Sequence, residues 1–202
     1  MGVMIRVLIF IKHNLVFIWK WIEFANSSIF YLLYHVKLES VLSGVFREIP
    51  QTQYSSRKLL MQDIEPLYKL IHSQEISDLK YFSPHGFDIN SLQKQMKNKS
   101  FLMMGVFDKN ILVGYFFLRF FINRKCFVGR LIDKDYRGKG IGSIMNTIMY
   151  ETAWRLKFRC LSTISRDNKA VVKAHSRNSS VKILKELQNN YLLIEFIRSS
   201  GN

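Results

Sequence analysis

Residues 133–143 read DKDYRGKGIGS, and three of the chain's ten glycines stand there at every second position, Gly138, Gly140 and Gly142. A surface turn needs one glycine. Three in alternation call for a backbone with no Cβ atoms in the way of something that comes very close. Just upstream, KCFVGRLID is an apolar run of strand length. Just downstream, Ile141, Ile144, Met145, Ile148, Met149, Ala153 and Leu156 recur at helical spacing. A strand must therefore end, turn through glycine and feed a helix. The first turn of that helix offers unpaired N–H groups and the positive end of the dipole. Arg137 and Lys139 add charge, so the turn is built to hold phosphate. It is not a Walker loop, because no Gly-Lys-Ser/Thr follows at the required spacing. It is not a Rossmann turn either, because the glycine spacing differs and the strands before it read as a hairpin.

The neighbouring sequence supports a mixed α/β reading with an antiparallel start. RKLLMQDIEPLYKLI reads as a short strand and a helix from near Asp63, placed as its N-cap, and SLQKQMKNK as a polar helix. SFLMMGVFD and ILVGYFFLRFFI are strand-length runs joined by the tight pair KN. After the glycine helix, CLSTIS reads as a strand, NKAVVKAH and VKILKELQ as helical, and YLLIEFIR as a closing strand. Net charge is +15, and residues 119–182 hold fifteen Lys or Arg against four acids, a net +11. The phosphate-ready turn thus lies in the most basic part of the chain, which fits an anionic partner as well as a solvated basic face. Nucleic acid is disfavoured, because the aromatics lie in apolar runs and are not interleaved with the cations. Cys126 and Cys160 are too few for a disulfide scaffold and form no CxxC pair, which favours a reducing compartment and leaves no metal site to expect.

Residues 1–45 read as an apolar helical extension, 46–56 as a linker around Pro50, and 57–202 as the main domain. In the extension, no uncharged apolar run approaches the roughly 20 residues of a bilayer span. Arg6, His13 and Lys20 recur every seven residues, a narrow polar stripe on an otherwise apolar helix beside Trp19 and Trp21. A second stretch, SSIFYLLYHVKLESVL, repeats the pattern behind serines that can cap a helix. Three readings stay open: a helical hairpin packed on its own domain or on a second subunit of a homodimer, an in-plane anchor on an anionic membrane surface, and a true span.

LIDKDYRGKGIGSIMNTIMYETAW resembles the cofactor motif of the GNAT acetyltransferase superfamily, Arg/Gln-x-x-Gly-x-Gly/Ala, with Arg137, Gly140 and Gly142 in the matching places. About thirty residues on, SRDNKAVVKAH is similar to the superfamily's Asn-x-Ala-Ser-x-x-x-Tyr/His helix through Asn168, Ala170 and His175, with Val171 replacing serine. RKLLMQDIEPLYKLI looks like its opening strand and helix, so the likeness covers about residues 57–198. The resemblance implies a GNAT-like acyltransferase fold and acetyl-CoA as the acetyl donor. It implies that backbone N–H groups from Arg137 through Gly138, Lys139, Gly140 and Ile141 to Gly142 hold the pyrophosphate. Main-chain groups of Leu131, Ile132 and Asp133 would meet the pantetheine arm at a splay in the sheet, and Asn168 would contact the same arm.

Acetyl transfer to a primary amine needs a group to take the amine's proton and one to protonate the leaving thiolate. His175 stands where many relatives carry a tyrosine acid, and Asp133 could serve as base, directly or through water; a helix hydrogen bond and a cap are the plainer roles for each. SRNSS, Ser176 to Ser180, departs from the superfamily's Glu-Lys-x-Gly-Phe and leaves the next turn open. The excess cations near the site and the apolar N-terminus favour a phosphate-bearing acceptor, an amino sugar of a nucleotide- or lipid-linked glycan precursor. The expected location is cytoplasmic, on the inner face of the membrane. The alternative is a degenerate binding module for acyl-CoA or anionic lipid.

Overall fold

The computed structural model describes residues 16–50, 52–169, 171–172 and 180–198. Helix α1 (Val16–Glu48) precedes strand β1 (Tyr54–Lys58), helices α2 (Ile64–His72), α3 (Ile76–Leu79) and α4 (Ile89–Met96), and strands β2 (Phe101–Asp108), β3 (Ile111–Phe121) and β4 (Lys125–Ile132). Helix α5 (Ile141–Arg155) then leads to β5 (Arg159–Ser165), β6 (Val181–Leu187) and β7 (Tyr191–Phe196). The strands form one sheet in the order β1-β2-β3-β4-β5-β7-β6. Among the described residues only the β4–β5 pair is parallel, and α5 is the crossover that a parallel connection requires.

Strand β3 is buried along most of its length, as a central strand covered on both faces must be. On one face, Leu67, Ile71 and Leu92 of α2 and α4 pack on Met103, Tyr115 and Phe117. On the other, Ile141, Met145, Ile148 and Met149 of α5 pack on Met104, Phe116 and Leu118, and α1 shares this face. The expected hairpin turn at Lys109 adopts φ +54°, the left-handed conformation of a tight reversal.

Three expectations change. Residues 16–48 form one continuous helix, and Phe30, Leu38, Leu42 and Val45 are buried in the main core, with Phe30 stacked on Phe120 at 4.7 Å. The described part of the N-terminal segment is therefore a layer of the domain, and the first strand begins at Tyr54. Second, residues 181–187, expected to be helical, form edge strand β6. Asn189 and Asn190 both take positive φ, +57° and +60°, in the three-residue turn 188–190 that returns the chain as β7. Third, the Asp63 side chain does not cap α2; it pairs with Arg57 at 2.6 Å and accepts from the Leu60 N–H at 2.7 Å.

Candidate functional site

β4 and β5 run side by side through three residue pairs only, Lys125–Arg159, Cys126–Cys160 and Phe127–Leu161. Beyond Phe127 and Leu161 both strands continue, to Ile132 and Ser165, without pairing to each other. Strand edges that part inside a sheet leave polar backbone groups to be met by a ligand or by water. The gap opens as a cleft of about 550 Å³, lined by Leu131 and Ile132 of β4, Ser162 and Ser165 of β5, Tyr150 of α5, Asn168, and Phe82 of the loop after α3. The sequence signal for this splay is weak, because both strands look continuous when read alone.

Arg137 lines the cleft and opens the glycine turn. Gly138 and Gly140 take φ of +75° and +83°, and a Cβ on either would meet nothing within 4 Å. Their requirement is therefore conformational, and the space above them is free for a ligand. Gly142 differs: a Cβ there would sit 3.4 Å from Ile132 and 3.6 Å from the Arg130 Nε. Among the described residues, the N–H groups of Gly138, Lys139, Gly140, Ile141 and Gly142 have no backbone acceptor, and Gly140 is the N-cap of α5. Five free donors at the positive end of a fifteen-residue helix form an anion cradle.

The charges expected to help are mostly engaged. The Arg137 guanidinium forms a two-pronged pair with Asp78 of α3, at 2.7 and 3.2 Å, and reaches Gln74 Oε1 at 3.3 Å. The Asp78 contact raises its pKa above the ordinary arginine value. Arg137 thus fastens α3 to the turn; its own N–H, expected to join the cradle, donates to the Lys134 carbonyl at 3.4 Å, so the free donors begin at Gly138. Lys139 lies over the Tyr136 ring, 4.7 Å from the centroid. The carboxylate of Asp133 accepts from the Asp135 N–H at 2.9 Å, capping a short 3₁₀ turn, and it does not line the cleft. The carboxylate thus takes the plainer of its two expected roles, a cap at the end of the strand, next to Ile132 of the cleft wall. Asn168 lines the cleft, and its Oδ1 accepts from the Val171 N–H at 3.2 Å. His175 lies outside the described residues.

Sequence reasoning missed Arg130. It lines the cleft under the first turns of α5 and donates to Asn146 Oδ1, with the Tyr150 hydroxyl beside it. Burial pulls its pKa below the ordinary arginine value and pushes that of Tyr150 up. No carboxylate side chain stands within ion-pair distance of Arg130 among the described residues, and residues 1–15, 51, 170, 173–179 and 199–202 contain no Asp or Glu. An arginine inside a strand run of Val, Gly, Leu and Ile could have been noticed as a cation at a core position.

No protein-family model and no curated protein matches the chain. Solved structures do. The PaiA N-acetyltransferase of Thermoplasma acidophilum in complex with coenzyme A is 16% identical, with a TM-score of 0.61 over 72% of this chain and 99% of that one. The GNAT domain of S. lividans PAT is 11% identical, with a TM-score of 0.60 over 74% and 99%. RimL, a ribosomal L7/L12 alpha-N-protein acetyltransferase, is 19% identical, with a TM-score of 0.58 over 73% and 90%. With the splayed parallel pair, the glycine turn and the crossover helix in this order, the chain has the fold of the GNAT acetyltransferases.

Proposed function

We propose that the protein is an acetyl-CoA-dependent N-acetyltransferase. The observation that carries this reading is the alignment of the β4–β5 splay with the free N–H groups of residues 138–142. An extended ligand with amides along its arm and phosphates at its end matches both. The likeness to a protein solved with coenzyme A supports it. Backbone of Leu131 and Ile132 would hold the arm, the glycine turn the pyrophosphate, and Asn168 the far wall. When bound, acetyl-CoA supplies the thioester that an amine attacks. Tyr150 keeps its proton at neutral pH as any phenol does, burial pushing its pKa further up, and so offers a hydrogen bond inside the cleft. His175 remains the proposed donor of a proton to the leaving thiolate.

The acceptor we propose is an amino sugar carrying phosphate, as in nucleotide- or lipid-linked glycan precursors. Arg130 supports this: a guanidinium without an ion pair at the cleft wall gains most from a ligand that brings the missing anion. A second reading, a non-catalytic binder of acyl-CoA, is favoured by one observation. Asp78 is the only carboxylate among the described residues of the cleft wall, and Arg137 holds it.

The test follows free thiol release from acetyl-CoA with a panel of amino-sugar nucleotides, unphosphorylated amino sugars and peptides. Release that depends on an amino-sugar nucleotide is the expected result. Tight acetyl-CoA binding with no release in any arm would establish the binding module.

A further inference from the structure

Helix α1 buries one face and leaves the other bare. Trp21, Leu32, Leu33 and Val36 are 57%, 82%, 65% and 82% exposed, and Phe24 and Ile29 are exposed beside them. At 3.6 residues per turn, Trp21, Ile22, Ala25, Ile29, Leu32, Leu33 and Val36 fall on the side opposite Phe30, Leu38, Leu42 and Val45. Further along the same side the residues become polar: Ser40, Ser43 and Arg47. The bare apolar patch is thus confined to the N-terminal half of the helix. A contiguous apolar surface of this kind marks a docking site.

The charges around the patch say what docks there. The three acids of the helix are all neutralised by the domain: Glu23 by Arg119 at 2.8 Å, Glu39 by Lys58, and Glu48 by Arg155. Its cations Lys20, Lys37 and Arg47 are exposed and have no carboxylate within ion-pair distance among the described residues. Residues 1–22 hold Arg6, Lys12 and Lys20 and no acid. A second copy of the chain would bring these cations against their own images, and residues 1–15 would bring more cations. An anionic lipid surface alone among these supplies both an apolar layer and negative charge.

We infer that the exposed face of α1 is a docking surface for an anionic membrane, on which the helix lies in the plane of the interface. By length and composition the helix could also cross a bilayer. Its attachments to the sheet oppose this. Asn26 donates to Ser100 Oγ at 3.1 Å and to the Phe120 carbonyl at 3.0 Å and accepts from the Ile122 N–H at 3.0 Å; Ser27 accepts from the Lys99 N–H at 3.0 Å. A span would have to break these bonds and pull Phe30 off Phe120. The Trp side chain at the face suits the headgroup region, and the exposed Lys20 and Lys37 of the same helix add attraction to anionic headgroups. This inference is independent of the acetyl-transfer reading.

The test uses the full chain and sedimentation with vesicles of phosphatidylglycerol mixed with phosphatidylcholine, and of phosphatidylcholine alone. Binding to the anionic vesicles, weakened by salt and reversed by alkaline carbonate, is expected. The double variant Leu32→Glu/Val36→Glu places acids at two highly exposed positions and should fold normally by thermal melting. It should bind about tenfold more weakly or worse, through lost apolar contact and added repulsion. Because Cys126 and Cys160 are buried, a polarity-sensitive dye can be placed on Val36→Cys or Lys94→Cys. It should shift to the blue with vesicles at position 36 and not at position 94, which lies on α4 across the sheet. Undiminished vesicle binding by the double variant, no shift at position 36, or resistance of the wild-type chain to carbonate would overturn the inference. So would a vesicle-indifferent dimer that the double variant dissociates.

Discussion

Gly140 answers to backbone geometry before it answers to any ligand. At φ +83° an L side chain costs roughly 1–2 kcal/mol. The space above it is open, so a side chain there would not clash with the protein itself. Gly140→Asp is therefore expected to fold, with a modestly lower melting temperature, and to bind acetyl-CoA at least tenfold more weakly, because the carboxylate meets the pyrophosphate. Calorimetry on the folded variant checks this, and unchanged affinity would remove the turn from the site. Arg130 gives a prediction of opposite stability sign. Arg130→Met removes a charge that has no ion pair, so melting temperature should hold or rise. The affinity for a phosphate-bearing acceptor should fall about tenfold, the worth of one hydrogen bond to a charged group. Equal KM for phosphorylated and unphosphorylated acceptors in wild type and variant would show that Arg130 does not read the phosphate. The glycine requirement could be read from the chain, because alternating glycines between a strand and a helix have few other uses. Arg130 could be read only as a cation within an apolar run, because the fold alone shows that no acid among the described residues reaches it.

At the scale of elements, α1 is the part whose role the chain conceals. Its apolar residues run almost all round, so periodicity does not say which face is inside. Contact decides: Phe30 meets Phe120 and Phe158, and Leu38, Leu42 and Val45 join the same core as α5. Phe30→Ala should destabilise the protein by about 3–5 kcal/mol, the usual result of emptying a buried aromatic site, measured by denaturant titration. Deleting residues 1–46 removes all four of these side chains and should give an insoluble or unfolded product. A truncated chain that melts cooperatively and binds acetyl-CoA would mean that the helix only rests on the core. Strand β6 shows the same dependence on neighbours. VKILKEL has helical spacing by itself, yet pairing with β7 and the Asn189–Asn190 turn hold it extended.

Over the whole molecule, two titrations predict how stability varies with pH, in separate windows. His85 is partly buried, with Nε2 2.7 Å from the Tyr115 hydroxyl and Nδ1 2.8 Å from the Gly86 carbonyl, an arrangement that suits the neutral ring. Burial, with Arg119 nearby, lowers its pKa below the ordinary 6.5. The unfolded chain therefore takes up the proton first. The stabilisation is complete above about pH 6.5 and is lost as pH falls from there toward the folded value. Asp63, held low by Arg57, acts later: its stabilisation is present above its ordinary 3.8 and is lost as pH falls through the lower folded value. Melting temperatures across pH should show His85→Gln flattening only the upper limb and Asp63→Asn only the lower. A His85→Gln profile parallel to wild type would place the upper limb on other groups.

The strands from Phe101 to Ile132, the glycine turn and helix α5 follow from local sequence, because tight turns, strand-length apolar runs and helical periodicity act over a few residues. The cleft, the engagement of Arg137 by Asp78 and of Asp133 by its own turn, the isolation of Arg130, and the division of α1 into a buried and a bare face follow from tertiary structure. Each joins groups far apart in the chain. Which of several chemically equal partners a charge or an apolar face finds is settled by packing and desolvation across those distances, and no local pattern encodes it.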